Sequence, residues 1–200
     1  MNFFKKIKSL NIFLFLNYFF GFIYTKLFYK NARLIRLPFY LRNEGKFSYG
    51  TGLSLGPNSL IEIFGRNSIL KIGSNFSSYY NLHIGCNYKI TIGNNVLVAS
   101  NVYISDHQHG YYKNINLDSI SNPNTEPQNR KIFSESILIG DNVWIGEGVK
   151  ILPGVKIGNG SILGAGSVIS KDIPKNSICV GVPAKPIKIF NEKNNAWINL

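Results

Sequence analysis

From residue 137 to residue 172 the chain repeats itself every six residues, as ILIGDN, VWIGEG, VKILPG, VKIGNG, SILGAG and SVISKD. The third place of each hexad holds Ile139, Ile145, Ile151, Ile157, Leu163 and Ile169, all aliphatic. The first place holds Ile137, Val143, Val149 and Val155, then Ser161 and Ser167, while the last three places collect Gly, Asn, Asp and Pro. A helix cannot use this period, because six steps of about 100° carry a side chain to the opposite face. Short strands with β-branched members, broken at glycine corners, fit it. The same frame runs upstream through Ile72, Ile84, Ile90, Val96 and Val102, with Ser78 as a polar member. Val102 and Ile137 are 35 residues apart, one short of six hexads. A segment rich in Asn, Pro, His and Tyr (105–136) fills that gap, which marks an excursion from a regular coil. The pattern predicts an all-β architecture, a parallel β-helix whose stacked coils bury aliphatic ladders and turn at corners that favour Gly and Asn.

Residues 1–42 are of another kind. Lys5, Lys6 and Lys8 precede a run from Leu10 to Phe28 built almost wholly of Phe, Leu, Ile and Tyr, and Lys30, Arg33, Arg36 and Arg42 follow. No small-residue cleavage site of a secretory leader is visible. The run barely reaches the ~20 apolar residues of a membrane-spanning helix and contains two asparagines. The expectation is a helix that either lies in the membrane interface, with its lysines on anionic lipid, or packs on its own domain or a neighbouring subunit. Pro38 closes this segment; residues 43–183 form the β-helix domain and 184–200 a tail.

The net charge of +12 favours anionic partners. Much of it sits in the two terminal segments rather than in a stripe with interleaved aromatics, and no nucleic-acid-binding motif occurs, so no nucleic-acid partner is expected. The two cysteines, Cys86 and Cys179, lack metal-site or disulfide-framework spacing. A reducing cytoplasmic setting follows, with contact at the inner face of the membrane left open.

The stretch NVWIGEGVKILPGVKIGNGSILGAGSVISKDIPKNSICVGVPAKPIK (142–188) closely resembles the hexapeptide-repeat acyltransferases, of which galactoside and maltose acetyltransferases are members. The matching pieces are VWIG, ILPGVKIG, GAGS, KDIP and GVPAK. The excursion ISDHQHG (104–110) and the basic, apolar N-terminus look most like O-acetyltransferases of bacterial lipopolysaccharide and capsule assembly. The resemblance implies a left-handed helix with three hexads per turn, a homotrimer with sites between subunits, and acetyl-CoA as co-substrate acting on a sugar or glycan hydroxyl, with no metal.

Such a transfer needs a base to activate a weakly nucleophilic alcohol and an N–H to meet the oxyanion. Of the three histidines, His107 and His109 lie in the excursion. Gap-free counting against the family places the base at His109, and a small loop adjustment exchanges it with His107. Asp106 stands ready to orient an imidazole. The family register puts Trp144 on the wall beside the base, or in plain packing, and makes the Glu147 backbone N–H the oxyanion donor. Coenzyme contacts carry over to Trp144, Glu147, Ala165, Ser170, Lys171, Lys185 and Lys188, where lysines stand in place of the family's frequent tail arginine. Acceptor contacts fall at Tyr79, Asn81 and Asn87; asparagine also suits β-helix corners because it tolerates positive φ. His83 is expected on a coil face, at solvent or a subunit boundary. Two rival readings remain: a γ-carbonic-anhydrase-like metalloenzyme built from three converging histidines, and a non-catalytic β-helix scaffold.

Overall fold

A computed structural model describes residues 11–112 and 121–200. Lys5, Lys6 and Lys8, and the middle of the excursion, lie outside the described residues. The chain winds into a three-faced parallel solenoid. Face one carries β1 (Ala32–Ile35), β4 (Leu53–Leu55), β7 (Ser77–Ser78), β10 (Leu97–Val98), β15 (Trp144–Ile145), β18 (Ile162–Leu163) and β20 (Ser177–Gly181), in that spatial order. It is extended by two antiparallel strands, β21 (Ala184–Asn191) and β22 (Ala196–Asn199). Face two holds β2 (Phe39–Asn43), β5 (Ser59–Ile63), β8 (His83–Cys86), β11 (Tyr103–Ser105), β16 (Lys150–Ile151) and β19 (Val168–Ile169). Face three holds β3 (Lys46–Tyr49), β6 (Ile69–Ile72), β9 (Lys89–Ile92), β14 (Ile137–Ile139) and β17 (Lys156–Ile157).

Each face lines the core with stacked ladders of inward side chains. On face two Ile61, Ile84, Ile104, Ile151 and Ile169 stack in register, and on face three Ile72, Ile92, Ile139 and Ile157 do the same. All of them are buried. Both the first and the third places of the downstream hexads point inward, Ser161 and Ser167 included. The two serines are satisfied there: Ser161 donates to the Pro174 carbonyl, and Ser167 accepts from the Gly181 N–H.

The upstream frame differs from the sequence expectation in one respect. Ile84 is the third-place residue of its coil, but its counterpart on face three is Ile92, because Ile90 pairs with the first-place Ile137. Two extra residues at the Asn87–Tyr88 corner produce this slip. The apolar pattern hides it, since Ile90 and Ile92 both point inward.

Asparagine ladders hold two of the three edges. Asn75 donates to Asn95 and Asn95 to Asn142 at the edge between faces three and one, and Asn81 donates to Asn101 between faces one and two. All five have positive φ, the backbone state a corner needs and asparagine tolerates.

The excursion leaves and rejoins the solenoid at one spot, where the Glu135 N–H donates to the Asp106 carbonyl at 2.9 Å. It begins as a hairpin of β12 (His107–His109) against β13 (Ile132–Ser134). The fully buried Asp106 carboxylate accepts the backbone N–H groups of Asn87, Tyr88 and Lys89 at 2.7–2.9 Å, fixing the slipped corner beneath the hairpin. Cys86 lies beside it, and burial, with the Asp106 charge as a lesser cause, pushes its thiol up to about 12.

Helix α1 (Ile12–Phe28) sits where a coil preceding β1 would lie. Its Thr25 hydroxyl accepts the Ile35 N–H at 2.7 Å, Asn17 donates to the Leu37 carbonyl, and a Cβ at Gly21 would stand 2.8 Å from the Ile35 oxygen. The helix thus satisfies part of the open edge of the first coil, at Ile35 and Leu37. Tyr29 packs between Tyr24, Phe39 and Tyr49 under the helix end, and burial raises its hydroxyl pKa.

Two stability predictions follow from these contacts. Thr25→Val leaves the Ile35 N–H without its acceptor and is expected to cost about 1–3 kcal/mol. Asp106→Ala strands three N–H groups and is expected to cost about 3 kcal/mol or more. A urea midpoint unchanged in either variant contradicts the corresponding role.

Candidate active site

The candidate residues fall on two different edges of the prism. The edge between faces two and three carries Asn87, Asp106, the hairpin with His107 and His109, and, one coil beyond the Leu152–Gly154 corner, Ser170 and Lys171. Face one and the edge that follows it carry Tyr79, Asn81, Trp144, Glu147 and Ala165, with Lys185 and Lys188 on β21. Within one chain Trp144 therefore lies on a different edge from the hairpin histidines. It stands half-exposed (50%) between Leu97 and Ile162 on face one.

His107 and His109 are two apart on a strand and share a side of it, yet their surroundings differ. The His107 imidazole turns inward, with Nδ1 at 3.2 Å from the Asp106 carboxylate and 3.3 Å from the Ser105 hydroxyl. The Phe64 ring meets it edge-on at 5.4 Å, and Gly85 lies beneath it. A Cβ at Gly85 would approach the ring to 3.1 Å, so this glycine makes the space for it. His109 is exposed, and its imidazole makes no hydrogen bond to any described residue. The Asp106 carboxylate orients His107, not His109, and three of its bonds are already to backbone.

The backbone of His109 is held more firmly than its ring. The Tyr112 hydroxyl donates to the His109 carbonyl at 2.7 Å. Arg130 donates to that hydroxyl and to the carbonyls of Thr125 and Pro123. Tyr111 packs on Phe133 at 4.6 Å. Arg130, Tyr112 and Phe64 escaped the sequence reading because they belong to no repeat or motif; a lone arginine in an excursion full of carbonyl-rich turns is the only hint.

On the other edge, the N–H groups of Glu147 and Ala165 donate to no described residue, whereas those of their neighbours Gly148 and Gly166 do. The Glu147 carboxylate accepts from Asn101, so the side chain continues the corner ladder while the amide stays free. Glycines 146 and 164 let successive coils stack closely here; a Cβ on either would collide with the next coil. Ser170, Lys171 and Lys185 are exposed and Lys188 half-buried, and none of these lysines forms an ion pair among the described residues. Tyr79 is exposed. Asn81 spends its amide on Asn101, which is the corner role open to it, and Asn87 donates to the Ser134 hydroxyl at 2.8 Å.

His83 faces outward from face two, 3.3 Å from Glu62 and edge-on to Tyr103 at 5.2 Å. The three histidines do not converge, and no group of three or more metal-ligating side chains forms among the described residues.

Residues 136–171 match the family described as bacterial transferase hexapeptide (six repeats). The chain is 38% identical over 173 residues to the lipopolysaccharide biosynthesis O-acetyl transferase WbbJ of Escherichia coli K12, covering 86% of this chain and 87% of that one. It is 39% identical over 147 residues to galactoside O-acetyltransferase of the same organism, covering 72% and 67%. A solved galactoside acetyltransferase in complex with coenzyme A superposes with a TM-score of 0.53 at 36% identity, over 82% of this chain and 64% of that one. An N-acyltransferase of Bacillus cereus, AntD, crystallised with coenzyme A, shares the fold at a TM-score of 0.60 and 21% identity, over 86% and 90%. With its hexad ladders, its excursion at the second edge and these relatives, the chain belongs to the hexapeptide-repeat bacterial transferases.

Proposed function

We propose that this protein is an O-acetyltransferase that moves acetyl from acetyl-CoA to a hydroxyl of a sugar in a bacterial surface polysaccharide or its lipid-linked precursor. It works in the cytoplasm, at the inner face of the membrane. The observation that carries the mechanism is the division of the candidate residues between two edges. One edge offers an imidazole that bonds no described residue, and the other offers N–H groups that donate to no described residue, with cationic side chains nearby. Copies packed edge to edge bring the two together, and three such contacts close a ring, so the working form is a homotrimer with its sites between subunits.

In this reading the His109 imidazole accepts the proton of the sugar hydroxyl as its oxygen attacks the thioester carbonyl. The new C–O bond forms, and negative charge collects on the carbonyl oxygen, where the Glu147 N–H meets it. Collapse breaks the C–S bond, and the imidazolium returns its proton to the departing thiolate. His107, whose Nδ1 is held by the Asp106 carboxylate, is the alternative base. Ala165 leaves room for the pantetheine arm, while Ser170, Lys171, Lys185 and Lys188 meet the coenzyme phosphates as single donors rather than forks. Tyr79 and Asn87 offer the sugar a hydroxyl and an amide.

His109→Ala is expected to lower turnover by about 10²–10⁴ with coenzyme affinity nearly unchanged, measured by thiol release against a panel of nucleotide sugars and lipid-linked oligosaccharides. Both of the protein's own thiols are buried and stay out of that readout. Near-normal turnover in His109→Ala alongside an inactive, folded His107→Ala moves the base to His107. Full activity in both contradicts the mechanism.

A further inference from the structure

Helix α1 fastens to the first coil along a narrow stripe, through Asn17, Gly21 and Thr25. Tyr18 joins on one side, its hydroxyl and ring against Arg36, and Tyr24 on the other, packed on Tyr29. Only Gly21 and Thr25 of the helix are fully buried. Most of the other large side chains look away from the body: Phe13 is 79% exposed, Leu27 68% and Phe28 67%, with Ile12, Phe19, Phe20, Phe22 and Ile23 also exposed. A continuous apolar face of this kind is left uncovered only where something else covers it.

Its position on the prism narrows what that is. The helix replaces a coil at one end, so its outer face looks along the prism axis. Neighbours that join through the lateral edges cover faces and edges and leave the end free. When copies stand side by side about an axis parallel to their own, every α1 faces the same way, in one plane. A second copy stacked end to end is opposed by charge. Lys26, Lys30, Arg33 and Arg36 of the helix and first coil form no ion pair among the described residues, and no acidic residue precedes Glu44. Two such caps in contact would set like charges against each other, whereas an anionic lipid surface complements them. No helix among the described residues is long and apolar enough to cross a membrane, and a cationic helix with an aromatic outer face suits the headgroup boundary instead.

We infer that the α1 caps of laterally assembled copies form a planar docking surface for an anionic bilayer, with phenyl rings at the acyl boundary and lysines and arginines among the headgroups. This rests on the edge-to-edge assembly proposed above, which aligns the caps and multiplies a weak single-helix affinity through several simultaneous contacts. It deepens that reading by placing the enzyme where a lipid-borne glycan would be presented.

Co-sedimentation of the full chain with phosphatidylglycerol/phosphatidylcholine vesicles and with pure phosphatidylcholine vesicles, at physiological salt, tests it. The protein is expected to bind the anionic vesicles at least about tenfold more tightly than the neutral ones. A Phe13→Ser, Phe19→Ser, Phe20→Ser variant changes only exposed positions. It is expected to lose at least about tenfold in vesicle affinity while its mass in solution and its coenzyme A binding stay the same. Absence of binding to anionic vesicles overturns the inference, as does unchanged binding by the triple variant. A wild-type mass in solution twice that of the triple variant also overturns it, because the caps then cover each other. Vesicle binding by a protein that fails to bind coenzyme A contradicts the transferase reading and not this one.

Discussion

Everything in this protein depends on the parallel stacking of short strands around an interior filled by aliphatic ladders. A two- or three-residue strand has too few hydrogen bonds to stand alone, and each coil is stable only because its isoleucines sit on those of the coils above and below. That dependence fixes the register at every rung, because a slip of one residue turns the ladder outward. Where the chain does deviate, at Asn87–Tyr88, a buried carboxylate from the next coil is brought in to hold three stray N–H groups.

Such a core leaves no room for chemistry inside it. The interior is filled mainly by aliphatic side chains with a few hydrogen-bonded serines, the faces are regular, and distinctive groups appear at edges and ends. The structure uses both. The candidate site residues lie along two edges, and the N-terminal end carries a helix that caps the first coil through Thr25 while turning its aromatics outward. Asp106 links the two scales: one carboxylate secures the corner, the root of the hairpin and His107, while the His109 ring bonds no described residue.

The downstream coils were legible in the sequence because aliphatic and serine residues recur at both inward places of each hexad, from Ile137 to Ile169. The slip upstream was not, since Ile90 and Ile92 are both inward and either satisfies the pattern. The excursion was visible as a break in phase, but spacing could not separate His107 from His109, which share a side of one strand; only the pairing with Asp106 tells them apart. The same pairing removes Asp106 as a partner of His109. Asn81 reads equally as a sugar contact and as a corner residue, and its bond to Asn101 supplies the corner role. The apolar run at the N-terminus was evident, whereas its attachment through Gly21 and Thr25 depends on a close approach to β1 that no local pattern encodes.

The central claim is that a working site needs one edge from each of two copies. It is tested most directly by mixing two inactive chains, His109→Ala and Ala165→Trp, in co-refolded oligomers. Each variant alone should be inactive, and mixed oligomers should regain a substantial fraction of wild-type thiol release, since some contacts then pair an intact His109 with an intact Ala165 edge. Confirmed mixing with no regained activity, or full activity in a monomeric form of the wild type, would contradict the account.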